Sequence, residues 1–333
     1  MNKIIVGVLA ILFAGLGVMG CKKSTSNNPD DQNAVLQNVD YNQRLQLESD
    51  AAADDANAVL AGVPILNGDG GAATNPDSLN KLVAGADSVV YDSADQKLVI
   101  YYDNTTVVNN RIRSGSLSVQ LISGNSWSDS LSVILLTFTQ YTSVKNNSTI
   151  IINGKNVVTN LNGGVVSKLI ASNQDSVSHQ ISTVIQGGLG LYVNYDTTKA
   201  YKCDTWRTRD IKYVNTTIVN NAAVRQYKYT IHGDYKVESH YVSWWGNTIY
   251  GQTFFNDIGA ALIVYDQSVD RAGPVSGQMS INGITIASIR QDLSITYGVN
   301  QSGNVVSSPT VPYGYLVSWV DLNGKNRTAV ASY

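Results

Sequence analysis

Charge is what this sequence has least of. Asp, Glu, Lys and Arg make up 14% of its 333 residues, against about 25% in ordinary soluble domains. Glutamate is nearly missing: of 25 acidic residues only Glu48 and Glu238 are glutamates. A chain so short of a good helix former, with Asn, Ser, Thr, Gly and Tyr in its place, does not read as a helical bundle. The net charge of −2 excludes a generally basic nucleic-acid binder. Cysteine is limited to Cys21 and Cys203, and histidine to His179, His232 and His240. That excludes a disulfide-rich scaffold and leaves few soft ligands for a metal. After residue 20 no apolar run approaches the roughly 18 residues a spanning helix needs. What is present in quantity is hydrophobic material, 43% of the chain, enough to bury a core.

The N-terminus carries an address. Lys3 precedes an apolar stretch, Ile4 to Val18, broken only by small residues and ending at Gly20-Cys21. A positive start, a short apolar core and a small-residue end make residues 1–20 a secretory signal peptide. Val18-Met19-Gly20-Cys21 resembles the bacterial lipobox. That resemblance implies a diacylglyceryl group on the Cys21 thiol, cleavage before it, and a fatty acyl chain such as palmitate on the new amino group. Two or more chains anchor stably where one does not. The expectation is a lipoprotein of the outer membrane, facing the periplasm or the exterior, with the membrane reached only through lipid. Cys203 then has no disulfide partner and reads as a small buried residue.

Residues 21–32 read as a polar tether. Over 33–62, apolar and small residues such as Val35, Val39, Leu45, Ala52, Val59 and Leu60 recur at helical spacing, ended by Gly62 and Pro64. Asn67 to Pro76 is a turn-rich linker. Its Asp-Gly cluster lacks the ligand spacing of a calcium loop. From about residue 84 the period becomes two, in β regions 84–198 and 199–333. Residues 227–241 read as one long strand with Tyr227, Tyr229, Ile231, Tyr235 and Tyr241 on one face. Asn-Gly pairs at 153–154 and 162–163 read as hairpin turns. The fold expected is mainly β: antiparallel sheets, as a sandwich or an extended meander, after a short helical segment. A membrane barrel fits poorly behind a lipid anchor and a helix.

Residues 97–165 resemble a family of uncharacterised lipoproteins of the phylum Bacteroidetes. The shared features are Arg111-Ile-Arg113-Ser-Gly115 between strands, the strand 135–141, Ile152-Asn153-Gly154-Lys155 and Val158-Thr159-Asn160. The C-terminal run from Gly273 to Lys325 resembles the end of the same family but lacks its Asp-Tyr-Gly and Cys-Asp elements. The family implies no activity. Exported proteins of that phylum carry O-linked sugars at Asp-Ser/Thr before a small or apolar residue. Similar steps occur here at Ser78, Ser88, Ser93, Ser130, Ser176 and Thr197, which implies glycan attachment on exposed loops. The competing reading is the turn chemistry of Asp and Ser.

Motifs for chemistry are few. No zincin, phosphate-loop, nucleophile-elbow or dinucleotide pattern occurs. A strand face carrying His232, Asp234, Glu238 and His240 could be imagined as a metal site, since alternate strand residues stand about 7 Å apart; a solvent-facing polar stripe fits the same residues. No cofactor is expected. With so few glutamates the paired acids of a glycosidase are scarce. Trp206 and Trp319 are expected in the core. Of the adjacent pair Trp244 and Trp245, one must face outward and could stack on a ligand. The function expected is therefore that of a non-enzymatic structural or adhesive lipoprotein. The alternative is a glycan-binding module or glycan-degrading enzyme, with a glycan or an envelope protein as partner.

Overall fold

The computed structural model describes residues 29–67, 76–108, 110–145, 148–169, 176–183, 189–193, 196–219, 222–248, 253–258, 263–266, 274–286, 289–307, 312–321 and 323–333. The expected signal peptide, Cys21, most of the expected tether and the centre of the 67–76 linker lie outside these residues. A 33-residue helix, α1 (Pro29–Ala61), opens the structure and is followed by the short α2 (Pro64–Asn67) and α3 (Pro76–Asn80). Seventeen strands follow among the described residues, all in one antiparallel sheet. They are β1 (Ala86–Asp92), β2 (Lys97–Val108), β3 (Arg111–Ser123), β4 (Ser132–Lys145), β5 (Ser148–Asn160), β6 (Ser176–Thr183), β7 (Leu189–Val193), β8 (Asp196–Val219) and β9 (Ala222–Gly233). After these come β10 (Tyr235–Val237), β11 (His240–Asn247), β12 (Thr253–Asp257), β13 (Ile263–Asp266), β14 (Gly277–Ile286), β15 (Ile289–Val299), β16 (Gly314–Val320) and β17 (Asn326–Ser332).

The architecture is the meander of the two expected forms. β1 to β5 pair in sequence order. β5 then pairs with both β6 and β7, which line up along one side of the long β8. The other side of β8 takes β9 along one stretch and β11 along another. The sheet continues as β11, β12, β14, β15, β16, β17. β8 spans residues 198 and 199, so the sheet runs unbroken through both β regions. Among the described residues β1 and β17 do not pair, and the sheet is not a closed barrel. No described helix is long and apolar enough to cross a membrane.

The sheet curls around α1. Side chains of this helix touch β2, β3, β4, β5, β6, β8, β12 and β15. The burial is all-round: Val35, Val39, Leu45, Ala52, Ala56, Val59 and Leu60 are in the core, and so are Asn38, Asn42, Gln43, Arg44, Glu48, Ser49, Asp50 and Asn57. A helix this rich in Asn and Asp has little intrinsic stability, so packing and polar contacts must hold it.

Those contacts form two clamps. Arg111 and Arg113 on β3 are two residues apart and share the inner face, and so do Arg207 and Arg209 on β8. Arg111 lies 3.0 Å from Glu48; Arg113 donates to Asp55 at 2.6 Å. Arg207 grips both oxygens of Asp50, at 2.9 and 3.1 Å, and Arg209 donates to Asp54 at 2.8 Å. Glu48 and Asp55 are two helical turns apart, and Asp50 and Asp54 one turn. Glu48 and Asp50 point about 200° apart around the axis. The helix thus holds β3 with one face and β8 with the opposite face.

Five of these buried ions have further partners, which offsets the cost of burial. Tyr141 and Ser143 donate to Glu48 at 2.7 and 2.6 Å, and Tyr102 donates to Asp55 at 2.7 Å. Arg113, Arg207 and Arg209 lie over the rings of Tyr102, Trp244 and Tyr229 at 4.5, 4.9 and 5.0 Å, a favourable placement for a desolvated cation. Burial pushes the Glu48 carboxyl up, but Arg111, Ser143 and Tyr141 outweigh it and leave it below the usual range. Trp127 donates to Asn57 at 2.8 Å. His179 lies beside both, and burial with the nearby Arg209 holds it down to about 3, hence neutral.

One expected hairpin and one expected strand turn out differently. Asn153-Gly154 does not end a strand. β5 runs through it as a bulge opposite Phe138 and Tyr141, with Asn153 accepting from the Gln140 amide at 2.8 Å. Asn-Gly suits any site needing a positive φ, and a bulge is one such site. The expected long strand 227–241 is also broken, at Asp234, where the chain leaves β9 and enters the hairpin of β10 and β11.

Candidate functional site

The outward-facing side of the sheet carries one cluster of large aromatic rings, where β8, β10, β11 and β12 meet. Trp206 sits on β8 between Thr205 and Arg207, both buried, so strand alternation turns it outward with 43% of its surface exposed. Its expected place in the core is therefore corrected; Trp319 does lie in the core, 7% exposed. Trp244 and Trp245 face opposite ways. Trp244 is buried under Arg207 and Trp245 points outward. Phe255 is flanked by buried Phe254 and Asn256 and is likewise outward.

Tyr235 completes the cluster because of the break at Asp234. β9 approaches the Tyr241 carbonyl so closely that a Cβ on Gly233 would overlap it. The Asp234 amide then donates to Trp206 O at 3.1 Å. Its carboxylate accepts from Thr208 at 2.6 Å and Gln180 at 3.2 Å and pairs with His232 at 3.0 Å. This fixed corner reverses the facing of the chain. Tyr229 and Ile231 point inward, while Tyr235 is 45% exposed. Its ring lies between Trp206, at 6.5 Å and 23°, and Trp245, at 4.9 Å and 29°. Trp245 stands directly opposite Phe255 on the next strand, and His240 meets Phe255 edge-on at 5.7 Å.

The polar border is acidic and tied down. Asp204, opposite Trp245, accepts from Thr183 at 2.7 Å. His232 also faces Asp210, at 3.5 Å. Hydrogen bonding to Asp210, then to Asp234, raises its pKa to about 10, so it is a cation at neutral pH. His240 pairs instead with Asp257, and Glu238 occupies the exposed turn between β10 and β11. The stripe of His232, Asp234, Glu238 and His240 is thus divided into two separate His–Asp pairs. Among the described residues no group of three or more His, Cys, Asp or Glu could hold a metal ion.

Of the residues considered for glycan attachment, Ser78, Ser93 and Ser130 are exposed and Ser88 and Ser176 are half-buried; the side chain of Thr197 lies outside the described residues. Asp92 accepts from the Ala94 amide at 2.9 Å, which is the turn chemistry that competes with the modification reading. Cys203 is buried, and burial followed by the nearby Asp204 pushes its thiol well up, which makes it unreactive.

From the sequence Trp206 was expected in the core and Tyr235 on one face of an unbroken strand, and Phe255 was not singled out. The signal that finds Trp206 is the Arg207-x-Arg209 pair: two arginines facing buried helix carboxylates oblige the residue before them to face out. No protein family, no curated protein and no solved structure matches the chain.

Proposed function

We propose that this protein is a lipid-anchored envelope protein that binds carbohydrate on the aromatic face of its sheet and does not transform it. The single observation that carries the reading is the outward-facing row of Trp206 and Tyr235, both exposed, with Trp245 and Phe255, both half-buried. Large aromatic patches on a monomer surface mark interaction sites. Rings bordered by carboxylates, hydroxyls and amides suit a ligand with both C–H faces and hydroxyl groups. The lipobox-like Val18-Met19-Gly20-Cys21 supports anchoring, and the resemblance to Bacteroidetes lipoproteins supports an outer-membrane setting. The carboxylates nearest the rings, Asp204 and Asp234, are held by hydrogen bonds rather than paired across a cleft, which favours binding over hydrolysis.

The test is titration of the detergent-solubilised full chain with cello-, xylo- and mannohexaose, read by intrinsic tryptophan fluorescence and calorimetry. At least one is expected to bind saturably. Trp245→Ala should weaken it by about tenfold or more, the scale of a binding hot spot, with the melting temperature little changed because the residue faces outward. Absence of binding to all of them, or full affinity in Trp245→Ala, contradicts the proposal.

A further inference from the structure

The aromatic row does not stop at Phe255. Strand register carries it across the sheet: Asp204 on β8 faces Trp245, Trp245 faces Phe255, and Phe255 faces Asn282 on β14. Past Asn282 come Asp292 on β15, whose carboxylate accepts from the Gly283 amide at 3.4 Å, then Val320 on β16 and its partner Asn326 on β17. A parallel row lies beside it, with Asp257 on β12, Ser280, Ser294, Ser318 and Thr328 in successive register. At about 4.8 Å per strand, Trp245 to Asn326 spans about 24 Å.

The far half of this line is a groove. Asn282, Asp292, Ser294, Ser318, Asn326 and Thr328 line a shallow outer-face cavity of about 430 Å³, within the range of small-ligand sites. Leu293, Trp319, Val320 and Arg327 line it as well, so the groove offers apolar contact together with hydrogen bonds from hydroxyl and amide side chains on four neighbouring strands. One end of the line is aromatic and the other mixed, joined through Phe255 and Asn282, with a bulge between Ile281 and Ile284 where β14 meets β15.

We infer that the ligand is an extended, neutral oligosaccharide chain lying across the strands, stacked at one end on Trp245 and Phe255 and hydrogen-bonded at the other in the β14–β17 groove. This rests on reading the aromatic face as carbohydrate-binding and adds its length, direction and charge. Length follows from the span, which a single sugar ring cannot cover. Neutrality follows from the charges along the line. Asp204, Asp257 and Asp292 border it, while Lys236 lies over Tyr241 and Arg327 is held by Asp321 at 2.8 Å. Lys202 stands exposed two residues from Asp204 and Arg327 lines the groove, but among the described residues the carboxylates Asp204, Asp257, Asp292 and Asp321 outnumber Lys202, Lys236 and Arg327, so a uronate or sulfated chain would meet net like charge.

The experiment compares di- and hexasaccharides of the neutral series with a hexagalacturonate, on the full chain and three variants. The hexasaccharide is expected to bind more than tenfold tighter than its disaccharide, and hexagalacturonate more weakly than either. Ser318→Tyr and Ser294→Tyr, each filling the groove from an outward strand position that accepts tyrosine, should reduce the hexasaccharide to the affinity of the disaccharide and leave the disaccharide unchanged. Trp245→Ala should weaken both. Equal affinity for the two lengths, or an unaffected hexasaccharide in both groove variants, overturns the extended-chain inference while binding lost in Trp245→Ala still upholds the aromatic face. Tighter binding of hexagalacturonate overturns neutrality. Indifference of both lengths to Trp245→Ala, or no binding at all, overturns the underlying reading.

Discussion

At the scale of single residues, the scarce charges divide into two populations. One of the two glutamates and three aspartates, Glu48, Asp50, Asp54 and Asp55, meet arginines inside the sheet. Breaking a buried pair by removing one partner leaves the other charge unpaired and costs about 3–5 kcal/mol. Asp50→Ala should lower stability by that amount in chemical denaturation, because it strips Arg207 of both carboxylate contacts and Arg209 of one. On the surface, His232 gives a pH signature. Its pKa, raised to about 10 by Asp210 and Asp234, exceeds the unfolded value of about 6.5. The stabilisation is therefore complete below pH 6.5 and declines as pH rises toward 10. The same two carboxylates are lowered, and their contribution is lost as pH falls below about 4. His232→Gln should flatten the loss of stability between pH 7 and 10; an unchanged slope would show that the pair contributes nothing. Gly115, at φ +82, approaches the Gln140 carbonyl with no room for a Cβ, which explains the glycine of the Arg-x-Arg-x-Gly segment. Gly115→Ala should destabilise through both strain and overlap.

At the scale of elements, the β character, the antiparallel pairing and the helix before it were legible because the hydrophobic period changes from helical to two near residue 84, while the choice between sandwich and meander was not. The helix's position was not legible. Its apolar residues alone suggest an amphipathic helix on a surface; only the pairing of its carboxylates with two distant Arg-x-Arg strands places it inside, and such long-range partners leave no local trace. The break at Asp234 escaped for the same reason, since it depends on Thr208, Gln180 and Trp206 from other strands. A register test follows for α1. Inserting one alanine between Glu48 and Asp50 rotates everything beyond it by about 100° and removes either Glu48 or the three aspartates from their arginines. It should abolish cooperative unfolding, whereas one residue inserted in the exposed turn at Ser302 should be tolerated.

At the scale of the whole molecule, an open sheet filled by a polar helix keeps one set of its charges inward and carries aromatics, hydroxyls, amides and a few carboxylates on its outer face. The proposal is that such a surface holds a neutral glycan close to a membrane reached by lipid. Cys21→Ser should then move the protein from the membrane to the soluble fraction after export, with its glycan affinity unchanged. The most direct test of the central claim is an NMR titration of the tryptophan indole N–H signals with the neutral hexasaccharide that binds best. The account predicts that Trp206 and Trp245 shift while Trp127 and Trp244, both buried, do not; shifts confined to the buried pair, or none at all, would contradict it.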